Sequence, residues 1–284
     1  MITERIVEMD KTSPLYPKEW QDVSGAPEKI WAVGNIRLLA ARKIAVVGAR
    51  TTPVGALKLG SNIAREISET FTVVTGTADG GDCAAIEGAL SGSGNVICVL
   101  AGGFSALPQG NMSLMEKVEK KGLIIAMHPY DTPVRAFSYE YRNKMLAYLS
   151  EGVLVLGAAE KSGALITAKY ARKAGKRVFA LPYAPNTFAG VGCNALIKSG
   201  AALTENAADV LTAFGIEKTE QKPKLVLTAD EEKVLTVLRE LSEAHASELA
   251  QKTGVPIFKL RAVLSALEVK GLAVSVGGNS YKPV

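Results

Sequence analysis

The sequence predicts an α/β fold, a doubly wound and mostly parallel sheet, followed by a small domain of helices and one hairpin. Three observations carry that expectation. Between residues 43 and 205, short apolar, β-branched runs alternate with helical patterns. Each run is apolar along its whole length rather than at every second residue, as a strand buried on both faces must be. Beyond a polar stretch at 215–224 the pattern turns helical and ends in AVSV–GGN–SYKP, a hairpin signal.

In chain order, residues 1–42 read as an N-terminal extension packed on the sheet, anchored by Trp20, Ile30, Trp31, Leu38 and Leu39. The sheet domain spans 43–214. Its strands are expected at 44–47, 72–75, 96–100, 123–126, 153–156 and 178–181, with helices near 55–69, 82–91, 111–120, 142–149 and 163–174. Parallel strands joined by crossover helices give a Rossmann-like sheet covered on both faces. Ligands of such folds sit beyond the carboxyl ends of the strands, here the loops at 48–53, 76–82, 101–111 and 157–163. Residues 215–227, which include Pro223, read as a linker. Residues 228–284 form the second domain. Thr228 is placed as an N-cap with Glu231 completing a capping box, and Val234, Leu235, Leu238 and Leu241 give that helix its apolar stripe. A short helix at 247–252 and a third at 256–270, with Leu260, Val263, Leu264 and Leu267 on one face, precede the hairpin. Three helices and a hairpin make a winged helix.

Composition narrows the function classes. The chain has 284 residues, 48% of them hydrophobic, enough for two cores. No apolar run approaches the roughly 18 residues of a membrane span. The charged start MITERIVEMDK has no apolar segment of the secretory type, so the cytoplasm is the expected compartment. Cys83, Cys98 and Cys193 are too scattered for a zinc site or a disulfide framework, and His128 and His245 are too far apart for a histidine-based metal site or triad. No cofactor is expected. The net charge is +5, whereas residues 228–284 hold seven basic and seven acidic residues. The excess therefore lies in residues 1–227, and an anionic partner is expected there.

The richest stretch is RNKMLAYLSEGVLVLGAAEKSGALITAKYA, 142–171. Its strand, its small-residue loop and the helix opening at Lys161-Ser162-Gly163 place free N–H groups, a hydroxyl and the positive end of a helix at one spot, which favours an anion. Arg142, Asn143 and Lys144 read as the opening of the preceding helix. Cations there oppose the dipole, which hints at a phosphate contact by Arg142 or Lys144. A second strand-to-helix turn, Gly48-Ala49-Arg50, is either a plain tight turn or a second phosphate cradle, since no complete GxGxxG accompanies it. In TGTADGGD (75–82), Asp82 reads as a cap of the next helix and Asp79 as a partner of its own loop, with metal ligation or general base chemistry as the alternative. Lys259 and Arg261 flank the apolar stripe of the third helix of the second domain, a use for DNA or for protein contact. Ser162 has no histidine to activate it, and Cys83 and Cys193 lack a base, so no catalytic constellation emerges.

Taken together, the words Tyr16-Pro17, VVGAR (46–50), TGTADGGD, Phe137 with Arg142-Asn143, SGALITA (162–168) and GCNALIKSGA (192–201) resemble the DprA/Smf family of bacterial DNA-processing proteins. The resemblance implies a protein that binds and protects single-stranded DNA and loads a RecA-type recombinase during DNA uptake and recombination. It also implies a homodimer and no enzymatic activity. By the same resemblance, the DNA or phosphate contacts fall on Gly48, Arg50, Arg142, Asn143, Lys144, Lys161, Ser162 and Gly163. Departures from the family pattern stand at Asp79, Gly81, Ile86, Leu107, His128 and Gly157, where a basic residue, isoleucine, histidine, tyrosine, glutamate and glutamate are usual. Two other functions stay open. One is a nucleotide-binding enzyme or sensor of the related lonely-guy-like group, whose PGGxGTxxE motif is absent. The other is a scaffold whose winged helix binds a protein.

Overall fold

The computed structural model describes residues 6–216 and 227–284, so most of the expected linker lies outside the described residues. The described chain forms two compact units, one on each side of 217–226. The first begins with β1 (Val7–Asp10), β2 (Lys29–Gly34), β3 (Lys43–Val47), α1 (Val54–Ile67), β4 (Thr72–Thr75), α2 (Gly81–Ser91) and β5 (Val96–Val99). It continues through α3 (Met112–Lys121), β6 (Leu123–Ala126), α4 (Ala136–Leu149), β7 (Gly152–Val155), α5 (Gly163–Lys173), β8 (Arg177–Ala180), α6 (Val191–Lys198), β9 (Ala202–Leu203) and α7 (Ala207–Ala213).

The nine strands lie in the order β1-β2-β6-β5-β4-β3-β7-β8-β9, parallel from β6 to β9. Alternate residues of each central strand feed opposite faces. Ala45, Val74, Ile97 and Val153 pack with α4, α5 and α6, while Ile44, Val73, Cys98 and Leu154 pack with α1, α2, α3 and α7. This two-sided burial is why the strands read as unbroken apolar runs.

The N-terminal extension does more than pack on the sheet. β2 pairs antiparallel with β6, and β1 pairs antiparallel with β2, so the extension becomes one edge of the sheet. Pairing covers the β6 edge that would otherwise expose a row of unmade backbone hydrogen bonds. Trp20 is fully buried and its Nε1 donates to the Met145 carbonyl at 3.0 Å, while the Tyr16 hydroxyl donates to the Pro27 carbonyl at 2.6 Å. Trp31 is only half-buried and donates to Glu8.

One expectation about α4 is corrected. The helix starts at Ala136, and Ser138 Oγ accepts the Arg135 N–H at 3.2 Å to close its first turn. Arg142, Asn143 and Lys144 therefore lie in its interior, where the dipole at the helix end has no bearing on them.

The second unit comprises α8 (Ala229–Leu241), β10 (Ala244–His245), α9 (Ala246–Thr253), α10 (Ile257–Val269), β11 (Ala273–Gly277) and β12 (Ser280–Pro283), a winged helix. The capping box forms, with Glu231 N donating to Thr228 Oγ1 and Thr228 N to Glu231 Oε2. Leu235, Leu238, Leu260, Leu264 and Leu267 make its core. Lys259 is paired with Asp230 at 2.5 Å.

Candidate functional site

The chain winds outward from β3 to β6, then returns to lay β7 on the other side of β3. Loops leaving β3 and β7 at their carboxyl ends diverge at such a switch point and open a crevice. A cleft of about 330 Å³ occupies that place, walled by Val47–Arg50, Ala78, Asp82, Tyr139, Arg142, Asn143, Ser162–Ala164 and Thr167.

Small residues let the two loops behind β3 and β4 interlock. A Cβ on Gly81 would stand 2.3 Å from Gly48 Cα, so the two backbones touch. Gly80 adopts φ +79°, and a side chain there would also strike the Ala49 carbonyl. Gly76 is the tightest of all, since a Cβ would lie 1.6 Å from Arg142 Nη1 and 2.3 Å from Asp82 Oδ2. The guanidinium reaches the bottom of the cleft only because position 76 has no side chain.

That bottom is a buried ion pair. Arg142 and Asp82 are 4% and 5% exposed, with Nη1 and Oδ2 3.8 Å apart. Arg142 Nη1 also donates to the Val99 carbonyl at 3.2 Å, and Asp82 accepts the N–H groups of Ala78 at 3.2 Å and Gly48 at 3.5 Å. Burial raises the Asp82 carboxyl above its ordinary range, and the Arg142 charge and the backbone donors pull it back down. Burial likewise lowers the Arg142 guanidinium, which still keeps its proton. The floor is thus close to neutral. Arg142 Nε and Thr167 Oγ1 are buried beside it with no hydrogen-bond partner among the described residues. The mouth is different. Arg50 is exposed on the rim, and α5 opens there with Ser162 as N-cap, its Oγ accepting the Ala164 N–H at 3.3 Å. The first helical N–H, at Gly163, has no intrahelical acceptor.

Of the eight residues singled out from sequence, Gly48, Arg50, Arg142, Asn143, Ser162 and Gly163 line this cleft. Asn143 holds the mouth in place, its Nδ2 donating to the Gly163 carbonyl at 3.0 Å. Lys161 lines a neighbouring cleft instead. Lys144 is not brought to either. Successive helical residues are rotated by about 100°, so three in a row cannot share a wall. Its Nζ donates to the Ser24 carbonyl at 2.6 Å and ties down the N-terminal extension. Asp79 accepts from Asn111 Nδ2 at 2.9 Å rather than from its own loop, and Asp82 does not cap α2, whose N-cap is Gly80. Of the aromatic residues in the loops and helix around the cleft, Tyr139 lines it, Phe104 is buried in the core and Phe137 is exposed away from the wall. Thr167 was missed. It lies one helical turn past Gly163 on the same face, a spacing present in SGALITA.

Comparison with known proteins decides the family. The model of the family "DNA recombination-mediator protein A" matches residues 8–215, and a DprA winged-helix model matches 218–279. The chain belongs to the DprA family. It is 32% identical over 201 residues to the DNA processing protein DprA of Streptococcus pneumoniae, covering 70% of this chain and 71% of that one. The solved structure of the pneumococcal protein superposes with a TM-score of 0.69 at 29% identity, over 74% of this chain and 75% of that one. A Helicobacter pylori DprA structure, solved to explain that protein's single-stranded-DNA binding mode, gives 0.67 at 26% identity, over 74% of this chain and 95% of that one. Among the described residues, no group of three or more His, Cys, Asp or Glu is placed to hold a metal, and no helix is long and apolar enough to cross a membrane.

Proposed function

We propose that this protein binds single-stranded DNA through the cleft between β3 and β7 and hands the strand to a RecA-type recombinase, acting as a cytoplasmic homodimer in DNA uptake and recombination. Family membership supports the role in recombination. The observation that carries the binding site is the division of the cleft into a cationic mouth and a neutral floor. A phosphate fits the mouth, where Arg50, the Gly163 N–H and the positive end of α5 converge. It does not fit the floor, where it would meet the Asp82 carboxylate. Arg142, already compensated by Asp82, serves the floor with Thr167 and takes the uncharged polar part of a nucleotide. Nothing in this arrangement activates a nucleophile, so the site is read as a binding site and not a catalytic one.

Binding of this kind is electrostatic and salt-dependent. Affinity of the full chain for a dT oligomer is measured by fluorescence anisotropy across a salt series, for wild type and Arg50→Ala. Losing one single-strand phosphate contact flattens the slope of log affinity against log salt by about 0.7. A slope near zero for the wild-type protein refutes the proposal.

A further inference from the structure

The sequence word GCNALIKSGA is left without a role by the cleft described above. Its structural surroundings supply one. Asn194 opens the region by bracketing Tyr183, its Oδ1 accepting the Tyr183 N–H at 3.0 Å and its Nδ2 donating to the Tyr183 carbonyl at 2.9 Å. The Tyr183 hydroxyl donates to the Leu156 carbonyl at the end of β7. The short 3-10 turn Phe188–Gly190 is then sewn to the loop after β7. The Ala158 N–H donates to the Ala189 carbonyl at 2.7 Å, and the Gly192 N–H returns to the Ala158 carbonyl at 2.8 Å. All of this fixes the backbone that carries Phe188, yet Phe188 is 73% exposed. A large apolar ring held out on a braced turn has the form of a platform and not of a frayed loop.

Phe188 lines a second cleft of about 360 Å³, together with Ala49, Lys161, Ser162 and Glu160. Ala49 and Ser162 are also walls of the first cleft. The two clefts are thus separated by one ridge, which carries the N-cap of α5 and the turn after β3. Lys161 gives this second cleft a cation, and Glu160 beside it gives a carboxylate, so its charge does not select a phosphate.

We propose that Phe188 stacks a nucleobase of the single strand, so that the backbone crosses the Ser162 ridge with its phosphate at the α5 terminus and successive bases fall on either side. The inference rests on the single-strand reading above. Stacking on an exposed aromatic ring suits any base, and it adds affinity without adding a phosphate contact.

The test uses the full chain, a dT oligomer and an abasic oligomer of equal length, with anisotropy at several salt concentrations. Phe188→Ala is expected to weaken dT binding by about 5- to 150-fold, the range for loss of one stacked base. The salt slope stays unchanged, and binding of the abasic strand stays at the wild-type value. Phe188→Trp restores dT affinity, and its added emission is quenched by dT but not by the abasic strand. If Phe188→Ala binds dT as wild type does, the stacking role is wrong. If it loses both oligomers equally, or if light scattering shows that it loses mass as an oligomer, the ring serves the fold or covers a second copy of this chain, and the inference falls. A wild-type protein that binds neither oligomer removes the single-strand reading itself, and the subsite with it.

Discussion

Replacing Asp82 by Asn tests the buried pair at the cleft floor. The substitution keeps the shape and an oxygen to accept the Ala78 N–H, 3.2 Å away, but removes the charge opposite Arg142. The two charges are 3.8 Å apart and almost wholly buried. At the effective dielectric that reproduces such pairs, their attraction is about 4 kcal/mol, within the roughly 3–5 kcal/mol lost when one partner of a buried pair is removed. For a unit of this size each kcal/mol moves the midpoint by about 2–4 °C, so calorimetry of the full chain should show the sheet unit melting about 8–16 °C lower. The cost arises because a buried guanidinium is left uncompensated, so it should largely vanish when Arg142 is also made neutral. Asp82→Asn with Arg142→Met is therefore expected to melt well above Asp82→Asn alone, while binding single-stranded DNA more weakly than wild type. A double variant no more stable than the single one, or an Asp82→Asn protein melting with wild type, refutes the reading of the floor as a compensated ion pair.

Three further outcomes follow from the same structure. Gly76→Ala places a methyl where Arg142 Nη1 now lies, so single-strand affinity should fall as far as in Arg142→Ala, and adding Gly76→Ala to Arg142→Ala should change affinity no further in a double-mutant cycle. Lys144→Ala should leave single-strand affinity within about two-fold, because its partner is the Ser24 carbonyl, while limited proteolysis of the N-terminal extension becomes faster. In the winged helix, Lys270 donates to both Glu231 oxygens at 2.7 Å and, with the capping box, holds the Glu231 carboxyl below its ordinary value of 4.5. A depressed carboxyl stabilises the fold above its unfolded-state pKa and loses that contribution as pH falls through the folded one. Glu231→Gln should therefore lower the melting point of this unit at pH 7, with the gap to wild type closing below pH 4.5; an equal gap at pH 3 and pH 7 would contradict the assignment.

The parallel strands were legible because burial on both faces leaves a continuous apolar run, and the α5 terminus was legible because a serine before small residues marks an N-cap. What escaped the sequence was set by pairing across long separations. Nothing local to 29–34 says that it will pair with 123–126, so the extension read as a cover and proved to be an edge. Nothing local to Lys144 says that Ser24 lies within reach. Asp82 read as a cap because its partner Arg142 is sixty residues away, and Phe188 carried no signal because an exposed ring looks in sequence like a core ring.

The departures from the family pattern gain a physical account from the same distances. At Gly81, where isoleucine is usual, any Cβ would strike Gly48, and at Gly157, where glutamate is usual, a Cβ would lie 2.4 Å from Thr52 Oγ1. Thr52 is 5% exposed and donates to the Ala49 carbonyl at 2.7 Å, filling the space beside position 157. Ile86, where histidine is usual, is fully buried in the apolar face of the sheet. Asp79 is exposed, bound to Asn111 and absent from the cleft wall, so its charge does not stand against a phosphate at the mouth. Of these four positions, Gly81 and Gly157 let the loops after β3, β4 and β7 lie against one another. None of them removes a side chain from the mouth, where Arg50, Ser162 and Gly163 remain. A close-packed floor behind a cationic mouth should govern which nucleotides enter the cleft more than how strongly the backbone is held. Comparing dT, dC and dA oligomers against an abasic strand measures the two separately. Equal affinities for all four would mean that the floor takes no part in binding.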